Sequence, residues 1–174
     1  MSKKEKLLSA LSHATKAGGG VHTATEIAFM LGEKYTPAFT KFLTDCVKNG
    51  VLRRVATGIF ESTITPPDGS TAIYKIVNKL RGDVFNYISL ESQLSYTGDI
   101  SQIVMGRLTV MTKGRSGMFS TPYGVIEFTH TKKTIEAIAP NVYFDSDIKM
   151  YRAKTTLALI DLKNCNRNLH MLEA

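Results

Sequence analysis

Between positions 36 and 54 the chain carries Thr36, Thr40, Lys41, Thr44, Lys48, Arg53 and Arg54. The three threonines recur every four residues, a spacing that lines one strip of a helix. A threonine hydroxyl bonds base edges or phosphates, and its methyl group packs on thymine. Lysine and arginine neutralise phosphate. These types in this pattern suit recognition of a polyanion rather than bond breaking. The bland counterpart is a solvated helix face that contacts nothing.

Other chemistry is thinly represented. His13, His22, His130 and His170 are scattered without metal-binding spacing. Asp145 and Asp147 alternate and, with Glu127, could be read as a metal-dependent nucleic-acid-processing site. An alternating carboxylate pair is far more often a solvated loop. The stretch Gly114-Arg115-Ser116-Gly117 lacks the phosphate-cradling pattern of a P-loop, and no nucleophile stands beside a base. The chain is therefore expected not to be an enzyme and to need no cofactor and no metal.

The elements that must position the threonines and cations are legible. Leu7, Leu8, Leu11 and Ala14 share one face of a helix over residues 3–17, which Gly18-Gly19-Gly20 stops. Thr23 and Glu26 have capping-box spacing and open a second helix, with Ile27, Ala28 and Leu31 inward and Gly32 at its end. Thr36 is a good N-cap and Pro37 a good first residue for a third helix over residues 37–49. Phe39, Phe42, Leu43, Cys46 and Val47 form its buried stripe, which leaves the threonine–lysine strip outside. Residues 51–55 read as a strand, Thr57-Gly58 as a turn and residues 59–61 as the return strand. Alternation sends Arg53 and Arg54 to opposite faces, so only one is expected to meet DNA squarely. Three helices with a tight turn before the third, then a hairpin, is the order of a winged helix-turn-helix. Its third helix enters the major groove by its N-terminal end.

Charge agrees with that reading. The chain has 22 Lys+Arg and 15 Asp+Glu, net +7, and residues 1–60 hold nine of the basic and four of the acidic residues, net +5. A basic N-terminal module points to a polyanionic partner. The hydrophobic fraction of 43% supports a folded core. No apolar run approaches a membrane span, so no membrane partner is expected. The first eight residues lack the apolar stretch of a secretory signal, and Cys46 and Cys165 suggest no disulfide framework. A reducing cytoplasm is the simplest compartment.

The segment Thr65-Pro66-Pro67-Asp68-Gly69-Ser70 reads as a linker. It divides the chain into a DNA-binding domain over residues 1–64 and a mixed α+β domain over residues 71–174. In the latter, Ile73, Ile76, Val77 and Leu80 mark a helix. Tyr87-Ile88 is a short strand, and Ser89 caps a helix carrying Leu90 and Leu94. Residues 107–112 and 123–131 are strand-like, and residues 152–164 form a final helix with Leu157 and Ile160 inward. The fold class expected is α+β.

Several stretches resemble the AbiEi-type antitoxins of type IV toxin–antitoxin systems. Residues 50–60, with Arg53-Arg54 before Gly58 and Phe60, are similar to that family's wing. The run Tyr87-Ile88-Ser89-Leu90-Glu91-Ser92-Gln93-Leu94-Ser95-Tyr96-Thr97-Gly98 resembles its strand-to-helix signature more closely. Residues 119–128 resemble the strand pair that follows, and residues 157–162 the late helix. Thr97 stands where the family often has histidine, and Ala153-Lys154-Thr155 where it often has a Pro-Glu pair. The resemblance implies an antitoxin whose winged helix represses its own operon at inverted repeats in double-stranded promoter DNA. It also implies a C-terminal domain that counters a nucleotidyltransferase-type toxin, with or without a direct complex. The alternative, from residues alone, is a stand-alone winged-helix transcription regulator with a C-terminal ligand-sensing or assembly domain.

Overall fold

A computed structural model describes residues 1–101 and 106–166; of the histidines, His170 lies outside them. The described residues form a mixed α+β protein with seven α-helices and two sheets. They fall into two compact units, Met1–Leu80 and Arg81–Ala174.

In the first unit, α1 (Lys3–Lys16) begins at a complete capping box between Ser2 and Glu5. After a two-residue strand, β1 (His22–Thr23), helix α2 (Ala24–Met30) begins at the capping box of Thr23 and Glu26. Helix α3 (Pro37–Lys48) takes Thr36 as its cap and Pro37 at its start, where a missing N–H costs nothing. Strands β2 (Leu52–Ala56) and β3 (Ile59–Ser62) form an antiparallel hairpin around Gly58, whose φ of +70° favours glycine. Strand β1 pairs with the outer side of β3, giving the order β1-β3-β2. Leu7 and Leu11, Ile27 and Ala28, Phe39 and Leu43, Leu52 and Phe60 come from these elements into one buried cluster. Helix α4 (Ala72–Leu80) ends the unit.

The division into compact units falls between Leu80 and Arg81, beyond the segment 65–70 that composition marks as a linker. The hydroxyl of Thr15 donates to the Thr65 carbonyl at 2.9 Å, and Lys75 Nζ donates to the Gly19 carbonyl at 3.3 Å. Lys79 pairs with Glu26 at 2.5 Å. Pro67 is buried against Gly20, where a Cβ would come within 2.6 Å of the Pro67 Cβ. Pro-Pro-Asp-Gly marks irregular backbone, but irregular backbone packs well when its carbonyls find donors.

The second unit is built on a six-stranded sheet in the order β6-β7-β5-β4-β9-β8. Its strands are β4 (Asn86–Ile88), β5 (Arg107–Thr112), β6 (Gly117–Thr121), β7 (Gly124–His130), β8 (Val142–Asp145) and β9 (Met150–Ala153). The β4–β9 and β5–β7 pairs are parallel and the others antiparallel. Helices α5 (Leu90–Thr97) and α7 (Thr155–Asn164) supply Leu90, Leu94, Leu157, Ala158 and Leu162 to a core with Tyr87 and Met111. The short helix α6 (Ile135–Ile138) adds Ile138.

Three expectations for this unit are corrected. The last helix starts at Thr155, and Arg152 belongs to β9. There Arg152 is buried, donating to Asp145 Oδ2 at 2.8 Å and Gln93 Oε1 at 3.0 Å. Ile160 is 47% exposed; Asp161 holds the inward position instead, at 1%. Ser89 stands at the start of α5, yet its hydroxyl makes no cap bond and donates to Asp161 Oδ2 at 2.7 Å. Each correction has one cause: periodicity reports apolar residues, and here buried polar groups with partners occupy inward positions.

Candidate nucleic-acid interface

The segment from α2 through α3 to the β2–β3 hairpin carries every DNA-contact candidate that the sequence singles out. Lys41 and Lys48 project from α3 and are exposed. Thr36 and Thr40 are exposed as well, but Thr44 is half-buried. The hydroxyls are engaged with their own helix. Thr36 Oγ1 accepts the Phe39 N–H at 3.2 Å, Thr40 Oγ1 donates to the Thr36 carbonyl at 3.4 Å, and Thr44 Oγ1 donates to the Thr40 carbonyl at 3.0 Å. Back-bonding of this kind is how a mid-helix threonine satisfies its donor. What Thr40 presents outward is a methyl group and acceptor lone pairs, which match a thymine methyl or a base amino group.

Arg53 and Arg54 are both exposed, and alternation sends them to opposite faces: Arg53 is in register with Glu61 and Arg54 with Phe60, ahead of a bulge between Arg54 and Ala56. They are not equivalent. Arg53 Nε donates to Glu61 Oε1 at 2.6 Å, and its second nitrogen pairs with the same oxygen. Glu61 is 1% exposed while the Arg53 side chain is 48% exposed, so the arginine caps a buried carboxylate and reaches water. Arg54 lies over the Phe60 ring with 5.5 Å to its centroid. That stacking holds the guanidinium at the hairpin surface.

Lys3 is a positioning residue that charge counting alone does not reveal. Its ammonium pairs with Glu33 at 2.9 Å and lies over the Phe42 and Phe39 rings at 4.4 and 5.1 Å. It thereby ties α1 to the turn before α3 and to α3 itself. Nothing in its local sequence announces this, since the partners stand about 30 or more residues away along the chain. On α2, Phe29 is 85% exposed, and Tyr35 in the following turn is 54% exposed.

A second polar centre lies in the other unit. Asp161 Oδ2 accepts from the Tyr87 hydroxyl at 2.9 Å and from Ser89 Oγ at 2.7 Å. Burial pushes the Asp161 carboxyl above its ordinary range, while Ser89, Tyr87 and Lys133 act in the other direction. Burial, then the neighbouring carboxylate, also pushes the Tyr87 phenol upward. The nuclease candidates are differently employed. Glu127 pairs with Arg107 at 2.8 Å. Asp145 takes Arg152 on one oxygen and the Asp147 N–H on the other at 3.0 Å, as the chain turns out of β8. Among the described residues no three His, Cys, Asp or Glu side chains gather as a metal would require. No helix in those residues is long and apolar enough to cross a membrane. No protein-family model matches the chain, and no curated protein matches it.

Proposed function

We propose that the first unit is a winged helix that binds double-stranded DNA, with α3 in the major groove and the hairpin as wing. On this reading the chain is a type IV antitoxin and autorepressor in the manner of the AbiEi-type family. Its partners are inverted repeats in its own promoter and, functionally, a nucleotidyltransferase-type toxin. Lys41 and Lys48 contact phosphate, Arg54 and the outer edge of Arg53 meet the backbone beside the wing, and Thr36 and Thr40 face base edges. Thr44, half-buried, serves chiefly to hold the helix.

The observation that supports this best is the joint exposure of Lys41, Lys48, Arg53 and Arg54 on adjacent elements of a small basic unit. The likeness of residues 87–98 to the family signature supports the antitoxin part. An electrophoretic shift on the protein's own promoter, at several salt concentrations, tests DNA binding. Wild-type protein that shifts nothing at low salt removes the repressor reading. Growth rescue on co-expression with an adjacent nucleotidyltransferase gene tests the antitoxin part, and absence of rescue removes it.

A further inference from the structure

In the second unit a cavity of about 380 Å³ opens between the segment after β7 and the C-terminal end of α7. Its volume lies within the roughly 300–1,000 Å³ of small-molecule sites. Asp161, Lys132 and Lys133 all line it. Both hydrogen bonds of Asp161 fall on Oδ2 and come from neutral hydroxyls. A carboxylate so deeply buried, with no ion-pair partner among the described residues, leaves a negative charge that a cation in the cavity would offset. The opposite charge stands on the segment after β7, which also lines the cavity. Lys132 is exposed and Lys133 half-buried, and among the described residues neither ammonium enters an ion pair. Their backbone is anchored, because Lys113 Nζ donates to the carbonyls of Thr131 at 3.0 Å and Lys133 at 2.7 Å. The thiol of Cys165 and the thioether of Met111 add a polarisable apolar wall.

A space with one buried carboxylate and two ammonium groups complements a small zwitterion. A polyphosphate would suit the lysines but be repelled by Asp161, and a simple amine would leave the lysines unused. We propose that this cavity binds a free α-amino acid, its ammonium on Asp161, its carboxylate on Lys132 and Lys133, and its side chain against Met111 and Cys165. The site is independent of the DNA-binding reading, and either can fail without the other.

The test is calorimetry and thermal shift on the full chain with each standard amino acid at millimolar concentration, beside inorganic phosphate and acetate. At least one amino acid should bind and raise the melting temperature. Its N-acetylated form, and the amine lacking its carboxylate, should each bind at least about tenfold more weakly. Lys132→Gln with Lys133→Gln should weaken binding by a similar factor at unchanged melting temperature. Asp161→Asn should abolish binding; if that variant does not fold, the N-acetylated ligand probes the same contact. Absence of binding by every amino acid would overturn the proposal. So would equal binding of phosphate or acetate, or wild-type affinity in the lysine double variant.

Discussion

Glu61 on β3 and Asp161 on α7 are both carboxylates at 1% exposure, and the two units accommodate them differently. Glu61 sits in a narrow hairpin, where the surface is one side chain away. A long arginine on the neighbouring strand covers it and still keeps half its own surface in water. Asp161 sits between a helix and a wide sheet and is held by two hydroxyls from β4 and its end. The difference shows that the location of a buried charge decides which partner can serve it. It also shows what each solution commits. In the first unit a cation from the candidate DNA surface is drawn into holding the hairpin together. In the second the carboxylate is held by neutral hydroxyls and lines a cavity.

The largest effect expected is in the second unit. Asp161→Leu strands the Tyr87 and Ser89 hydroxyls and should cost about 2–5 kcal/mol, comparable to Leu94→Ala in the same core. Asp161→Asn keeps an acceptor and should cost much less. Denaturant melts check this, and equal losses for Leu and Asn would break the account of Asp161 as a hydrogen-bond acceptor. By contrast Ile160→Ala, one residue away but exposed, should fall within about 0.5 kcal/mol of wild type.

Next comes the hairpin. Arg53→Ala removes a partner of buried Glu61 and should cost about 1–3 kcal/mol, less than a fully buried pair because Arg53 is half in water. Glu61→Gln in the same chain should recover part of that loss. Arg54→Ala should leave the melting temperature nearly unchanged. If Arg53 and Arg54 substitutions prove equally harmless to stability, Arg53 is not committed to the hairpin and the contrast with Asp161 fails.

The units should also differ in the sign of their response to pH. Burial lowers the His22 pKa from 6.5, with Glu26 opposing and Lys79 reinforcing that shift, and its Nε2 is buried without a hydrogen-bond partner among the described residues. Its contribution is therefore present above pH 6.5 and lost as pH falls through the lowered folded value. The Asp161 pKa is raised from 3.8, so its contribution is present below that value and lost as pH rises through the raised folded value. Melting curves of wild type, His22→Gln and Asp161→Asn across this range should show each variant losing one limb. Loss of the same limb in both would contradict these assignments.

The smallest effect on stability, and the sharpest on function, belongs to the exposed cations of α3. Lys41→Ala should leave the melting temperature unchanged and weaken binding to promoter and unrelated DNA alike. It should flatten the salt slope by about one unit, since each phosphate neutralised releases roughly 0.9 of a counterion. Arg53→Ala should weaken binding and stability together. A slope unchanged by Lys41→Ala would remove that lysine from the interface.

The helices of the first unit were legible residue by residue because their signals are local. Ser, Thr, Pro and Gly at helix ends act within four residues, and Phe39, Leu43 and Cys46 declare one face by spacing alone. The basic character of this unit and the exposure of Lys41 and Lys48 followed from the same local patterns. Strands β6, β8 and β9 are not legible from periodicity, because four or five residues carry too little alternation to separate from loop. Tertiary structure alone decided the rest. It placed α4 in the first unit through Lys79–Glu26 and Lys75–Gly19, put Arg152 in a strand, and turned Asp161 inward in place of Ile160. It also engaged Arg53 with buried Glu61 and set Arg54 over the Phe60 ring. Each of these depends on a partner in another element, and residue type along one segment carries no record of it.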